Sequence, residues 1–277
     1  MTKSLFHALL GDPARMVFGL WTRRELVGQL TKRNIEIRHR GSRLGPLWAL
    51  LNPLSMLGLY FVVFGLIYQQ RFPVAQVQTG YDFALAMFLG LSLFHALSET
   101  LAWAPGAIVA NPNFVKKVVF PLEALPVAHM GATTFHLLVS LALVLVGSAF
   151  GTSGLSLHIL WLPVLVLPML LLSLGIAWFL SALGVFVRDV GQVTAFVSTV
   201  LLFASAIMYP PEIIPPELQF LRYNPLLQIA DLARQTVLWH QAMPWHKLTY
   251  VYACGLTSFA LGAVFFALLR KSFAEVI

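Results

Sequence analysis

Arg38-His39-Arg40-Gly41-Ser42-Arg43-Leu44-Gly45-Pro46-Leu47-Trp48-Ala49-Leu50-Leu51-Asn52-Pro53 is the stretch on which the fold turns. A strongly basic segment gives way here, within a few residues, to an apolar run that continues to about residue 68. A bilayer core of roughly 30 Å is crossed by about 20 apolar residues in a helix, so this run is long enough to span. The chain before it is basic and mixed in polarity; the chain after it is mostly apolar.

Of the 277 residues, 58% are hydrophobic and only 10% charged, and the mean hydropathy is +0.80. A soluble domain of this size could not hide that much apolar surface, so the composition predicts an integral membrane protein, all α. Six candidate spans follow, roughly 44–68, 83–104, 126–150, 159–187, 190–209 and 248–269. They form a single transmembrane domain over 1–277 with no room for a separate soluble one. The short apolar run at the N-terminus is interrupted by Asp12, Pro13 and Arg15, so no cleavable signal is expected and the first span is retained. Cys254, the only cysteine, excludes an intramolecular disulfide and a cysteine-rich zinc site, and it reads as a packing residue.

Charge sets the orientation. With the N-terminus in the cytosol, inner segments hold nine Lys/Arg before the first span, then Lys116, Lys117, Arg188, Arg270 and Lys271. Outer segments hold Arg71, Arg222, Arg234 and Lys247, a split of fourteen to four over all eighteen basic residues. The positive-inside rule therefore places both termini in the cytoplasm. The net charge of +7 becomes an inner-face property suited to anionic lipids. No soluble basic module exists to carry nucleic acid.

Residues 22–43 mix basic side chains with Leu26, Val27, Leu30, Ile35 and Ile37 at helical spacing, which predicts an amphipathic helix along the inner surface. A plain positive-inside anchor explains the same residues. Gly41 and Gly45-Pro46 supply the bend into the first span. Tyr60, Phe64 and Tyr68 recur every four residues on one face of that span, as a passage lining or as ordinary packing. His95 and Glu99, four apart in the second span, form an intramembrane polar pair that is either functional or structural. His129 and His136 are too isolated to argue a metal site and read as buried, hydrogen-bonded histidines.

The connection Asn111 to Pro126 is bracketed by Pro112 and Pro121 and carries Lys116, Lys117 and an exposed Phe114. It suggests a docking element for a cytosolic partner, or a membrane-surface helix. Pro163 and Pro168 should kink the long fourth span, and Arg188-Asp189 forms a tight turn in which the two charges can pair. Tyr209 to Leu226 is apolar but broken by prolines, which fits two short helices entering from outside and returning, or a surface loop. There is no Gly-x-x-x-x-Gly-Lys-[Ser/Thr], no Gly-x-Ser-x-Gly and no His-Glu-x-x-His, so an ATPase or hydrolase within this chain is not expected.

Thr31 to Trp48 with Asn52-Pro53, Asn111 to Pro126, Arg188-Asp189, and Tyr209-Pro210-Pro211 through Asn224-Pro225-Leu226 stand in the order found in type-2 ABC exporter permeases. Within them the chain resembles the polysaccharide exporters, the Wzm group for lipid-linked O-antigen with relatives for capsule and teichoic acid. The resemblance covers nearly the whole chain. It implies a bacterial inner-membrane half-transporter that forms a homodimer and binds two copies of a separate ATPase chain. That partner would hold ATP and Mg, and this chain would bind no cofactor or metal and carry no catalytic residues. By the same resemblance, residues 22–43 are an interface helix and 110–125 a coupling segment, with Asn111, Pro112, Asn113, Phe114, Lys116 and Lys117 facing the ATPase. Residues 209–226 become re-entrant helices at an outer gate, including Tyr209, Pro210, Pro211, Ile214, Asn224 and Pro225. Tyr60, Phe64, Tyr68, Phe196 and Phe203 become candidates for the channel wall. Arg38, Arg40 and Arg43 would attract the diphosphate of an undecaprenyl-linked glycan, since guanidinium matches phosphate bidentately. Two other classes stay open: an ABC permease for a smaller lipid or drug amphiphile, and an ATPase-independent carrier or membrane enzyme using His95 and Glu99.

Overall fold

Residues 13–38, 40–69, 71–73, 79–116, 120–152 and 154–277 are described by a computed structural model. The fold is helical, with no strand among these residues. The helices are α1 (13–22), α2 (Arg24–Arg38), α3 (Trp48–Tyr60), α4 (Gly80–Trp103), α5 (Pro112–Lys116) and α6 (Ala124–Ser148). They continue as α7 (Leu162–Phe186), α8 (Val190–Ala204), α9 (Pro225–Ala233), α10 (Trp245–Leu269) and α11 (Phe273–Val276).

Among the described residues, five helical runs are long and apolar enough to cross a membrane: Gly45–Ile67, Gly80–Gly106, Ala124–Ser148, Leu157–Phe186 and Trp245–Val276. Each matches an expected span to within a few residues at most ends. The span expected over 190–209 is represented by α8, which has 15 residues and stops at Ala204. Its end has a physical cause. Ala206 adopts a left-handed φ of 47°, and the carbonyls that a continuing helix would use are taken elsewhere, Ala204 by Asn224 Nδ2 and Ala206 and Ile207 by Arg234. The fourth span is entered through a 3₁₀ turn at Leu157–Trp161. Pro163 then falls in the first turn of α7, where its missing N–H costs nothing, and only Pro168 lies inside the helix.

α4 is the centre of the bundle. Thr79 and Asp82 cap its start reciprocally, the Thr79 N–H donating to Asp82 Oδ2 at 2.8 Å while the Thr79 hydroxyl oxygen accepts from the Asp82 N–H. Asp82 also accepts from the Thr152 N–H at 2.9 Å, tying the start of α4 to the connection after α6. Of its apolar window 83% is buried inside the protein, against 6% for the first span, so the apolar surface of α3 must be covered from outside the protomer. α7 and α10 pack at backbone contact: a Cβ on Gly262 would lie 2.0 Å from the Gly175 carbonyl oxygen, so only glycine fits.

At one end of the bundle, Met16 of α1, Ile108, Leu125, Trp178, Phe266 and Phe273 form a second apolar cluster. The buried carboxylate of Glu123 sits between Arg23 (4.0 Å) and Arg270 (3.6 Å), which fastens the α1–α2 junction and the end of α10 to the start of α6. The ion pair expected between Arg188 and Asp189 is not made, because successive residues in a turn do not face each other.

Candidate functional site

α3, α4 and α6 enclose a cavity of about 650 Å³, within the range that holds a small ligand or a head group. Arg38, the last residue of α2, lines it together with Glu99 from the final turns of α4. The two are joined by an ion pair, Nη1 to Oε1 at 2.6 Å, with both side chains partly exposed. Glu99 is thus engaged by Arg38, a partner that its spacing from His95 did not indicate. His95 does line the same cavity, as do His136, Ser140 and Asn52. Ser98 reaches across to Ser198 of α8 at 2.6 Å. Trp48 forms part of the wall near Arg38 and donates its indole N–H to Ser42 Oγ at 2.7 Å.

Arg40 and Arg43 flank the turn between α2 and α3, both exposed, with the left-handed turn positions occupied by Gly41 (φ 84°) and Gly45 (φ 49°). Only Arg38 of the three arginines reaches the cavity wall. Tyr60 lines the cavity, but the expected aromatic face does not run on as a regular helix. Phe61–Ile67 is a π-helical turn, which rotates the residues after Tyr60. Phe64 therefore packs on Phe83 of α4 and stacks with Tyr68 at 5.8 Å. Tyr68, Phe196 and Phe203 are largely exposed on the protomer. His129 stacks on Trp103 with ring centres 4.7 Å apart, in place of the hydrogen-bonded core histidine the sequence suggested.

The connection after α4 holds the short helix α5 at the position anticipated. Asn111 Nδ2 donates to the Ala107 carbonyl at 3.0 Å; Pro112, Asn113 and Lys116 are exposed, and Lys117 lies outside the described residues. Phe114 is not the exposed handle expected of it. It stacks on Phe120 with ring centres 4.4 Å apart and packs on the cluster that contains Met16 and Phe273. Through Phe114, α5 is thus packed on the cluster that also holds Met16 of α1 and Phe266 of α10.

After α8, the segment 209–224 folds as 3₁₀ turns at Pro211–Ile213 and Pro216–Tyr223, with Pro210 and Pro215 preceding them in extended backbone. Ile214 is buried, and the Tyr209 hydroxyl donates to the Phe203 carbonyl. Asn224 caps α9 by accepting from the Leu226 N–H at 3.0 Å, and Pro225 fills the first helical position.

Arg234 stands at the π-helical end of α9, and its place in the sequence marks it only as one outer-segment charge. It is 1% exposed, donates to the Ala86, Ala206 and Ile207 carbonyls at 2.9, 3.1 and 2.6 Å, and lies 4.8 Å over the Phe72 ring. Gly90 makes room for it, since a Cβ there would meet the guanidinium at 2.4 Å. One guanidinium thus holds α4, the break after α8 and α9 together. The available signal was a single arginine within the apolar run from Pro225 to Trp239.

Helices throughout the described residues, five of them membrane-length and apolar, with a cavity between α3, α4 and α6, define a multi-pass membrane protein. The profile of the ABC-2 type transporter family matches residues 25–238, and the chain belongs to that family. It is thus a transport component and not an enzyme, and ATP hydrolysis in this family resides in a separate partner subunit. The chain is 28% identical over 267 residues to the O-antigen export system permease protein RfbA of Myxococcus xanthus, covering 95% of this chain and 99% of that protein. It is 22% identical over 265 residues to the protein of the same name from Klebsiella pneumoniae, with the same coverage. It is also 28% identical over 229 residues to the polysialic acid transport protein KpsM of Escherichia coli, covering 79% and 84% of the two chains.

Proposed function

We propose that this chain is the membrane-spanning permease of an ATP-driven exporter that moves a lipid-linked polysaccharide of O-antigen type from the cytosolic to the outer side of a bacterial inner membrane. It works as a homodimer with two copies of a cytosolic ATPase, which holds ATP and Mg. The observation that carries this reading is the cavity between α3, α4 and α6 with Arg38 at its basic end, in a chain that aligns with O-antigen export permeases over 95% of its length.

In this reading α8 is the fifth of six spans, completed by the segment up to Tyr209, and residues 209–226 are the re-entrant outer gate. α2 lies at the inner surface as the interface helix, and both termini are cytoplasmic. The distribution of basic residues supports that orientation, fourteen inside against four outside. The helix directions also gather Arg23, Arg38 and Arg270 at one end of the bundle. The diphosphate of the lipid carrier is drawn to Arg38, Arg40 and Arg43, and the glycan passes between protomers along Tyr60, Phe64, Tyr68, Phe196 and Phe203. Closure of the ATPases moves α5, and its aromatic stack carries the motion to α1 and α10, biasing the passage between closed and open states. A carrier or enzyme built on His95 and Glu99 would need the two to act together, and Glu99 is bound to Arg38.

Deletion of the gene tests the substrate. Lipid-linked polysaccharide should accumulate on the cytosolic side and surface polysaccharide should fall, with both restored by the intact gene and not by a variant with Arg38, Arg40 and Arg43 all changed to Gln. Unaltered surface polysaccharide in the deletion strain refutes the proposal.

A further inference from the structure

The Arg38–Glu99 pair stands at the mouth of the cavity, and its chemistry resembles that of the ligand the proposed function requires. A carboxylate offers guanidinium the same pair of acceptor oxygens as a phosphate, with less charge and fewer oxygens. At 2.6 Å the Nη1–Oε1 contact is close, yet the side chains are 46% and 28% exposed. Water and salt screen such a pair, so a stronger anion can replace it. Behind it the cavity holds an unused polar group. Thr133 is 1% exposed, lines the cavity, and its Oγ1 has no hydrogen-bond partner among the described residues. Such a buried hydroxyl is a ready contact for a ligand that enters past Arg38. Asn52 and His95 offer an amide and an imidazole in the same lining.

We infer that Glu99 is an internal stand-in for a phosphate group: it holds Arg38 while the cavity is empty and is displaced when a diphosphate-bearing lipid head group enters. This rests on the reading of the chain as a permease for a lipid-linked glycan. Glu99 thereby sets a threshold. Neutral and weakly anionic lipids leave the pair closed, and a diphosphate opens it, so the membrane's own phospholipids do not occupy the entrance. The charge left on Glu99 also disfavours retention of the diphosphate once it has moved past Arg38, which keeps the entrance from becoming a trap.

Trp48 reports on the site because its ring lines the same cavity. The full chain, assembled with its ATPase in phosphatidylcholine nanodiscs, would be titrated with geranylgeranyl diphosphate. The signal is the part of the tryptophan emission change that Trp48→Phe abolishes. Expected are saturable binding by the unaltered chain, half-saturation at about ten-fold lower concentration in Glu99→Gln, where the competitor is gone, and loss of the signal in Arg38→Gln. Phosphatidylglycerol at the same mole fraction should leave the emission of the unaltered chain unchanged and shift that of Glu99→Gln. If Glu99→Gln titrates like the unaltered chain while Arg38→Gln is silent, the stand-in role is overturned and the phosphate-entrance reading survives. If Arg38→Gln titrates like the unaltered chain, or no variant responds, both are overturned. A full response of the unaltered chain to phosphatidylglycerol overturns the threshold.

Discussion

Arg234 is the residue whose role depends most on its surroundings. A guanidinium removed from water is costly unless its donors are used, and here three backbone carbonyls and an aromatic face use them. Two of those carbonyls, Ala206 and Ile207, lie where α8 has just ended, so the arginine and the broken helix stabilise each other. Arg234→Ala should strand these carbonyls and lower stability by about 3 kcal/mol or more, with Arg234→Lys recovering only part because an ammonium lacks the planar fork. Thermal unfolding in detergent would measure both. His240, in the loop before α10, gives a second prediction. Burial first, and then the neighbouring ring of His158, 5.6 Å away, hold its imidazole below the ordinary 6.5. The folded state therefore favours neutral His240, and the unfolded chain binds more protons. Stability from this group is fully present above about pH 6.5 and is lost as pH falls below it. The unfolding temperature should drop on acidification from about pH 7 to about pH 5, and His240→Gln should flatten that dependence.

Among the elements, α5 is short and would not hold a helix alone. It is held by the Phe114–Phe120 stack and by the proline that starts it. Its exposed edge, Pro112, Asn113 and Lys116, carries its polar side chains, while its apolar edge faces inward. In the function proposed above, this division would separate contact from transmission, the exposed edge meeting the ATPase and the stack passing the movement on. Lys116→Glu should weaken co-purification with the ATPase chain by about ten-fold, a difference of about 1.4 kcal/mol, with the fold intact. Phe114→Ala should instead leave binding in place and uncouple ATP hydrolysis from export. Normal binding and normal export in both variants would remove α5 from the coupling path.

For the whole molecule, the uneven burial of its helices is decisive. α4 is enclosed, whereas the first span has almost no cover inside the protomer, and α8 presents Phe196 and Phe203 outward at 70% and 59% exposure. Lipid covers such surfaces as readily as protein does, but the polar Ser98–Ser198 contact on the inner side of α8 sets that helix against the cavity. In the dimer proposed above, these faces meet across the passage. With Cys254 changed to Ser, single cysteines at Phe196 or Phe203 should form cross-linked dimers on oxidation in membranes, since a disulfide needs Cα atoms within about 7 Å. A cysteine at Met87, which is fully buried, should form none.

The amino-acid sequence alone determined the class of fold, the position of most spans, a helix in the basic segment before Gly41, and the proline-bracketed helix at α5. These are local properties: apolar run length, charge placement and proline position act through the solvent that each segment meets, whatever the other helices do. Tertiary structure decided the partners. Nothing in the spacing of His95 and Glu99 indicates that an arginine 61 positions earlier takes the carboxylate, and four-residue periodicity cannot reveal the π-helical turn that moves Phe64 onto Phe83. The shortness of α8 was likewise hidden, because its last turn is ended by Arg234 and Asn224, which approach from another part of the chain. Burial and pairing of polar groups are set by which helices meet, and within a membrane, where apolar side chains gain little by leaving lipid, those few polar and glycine contacts fix the packing.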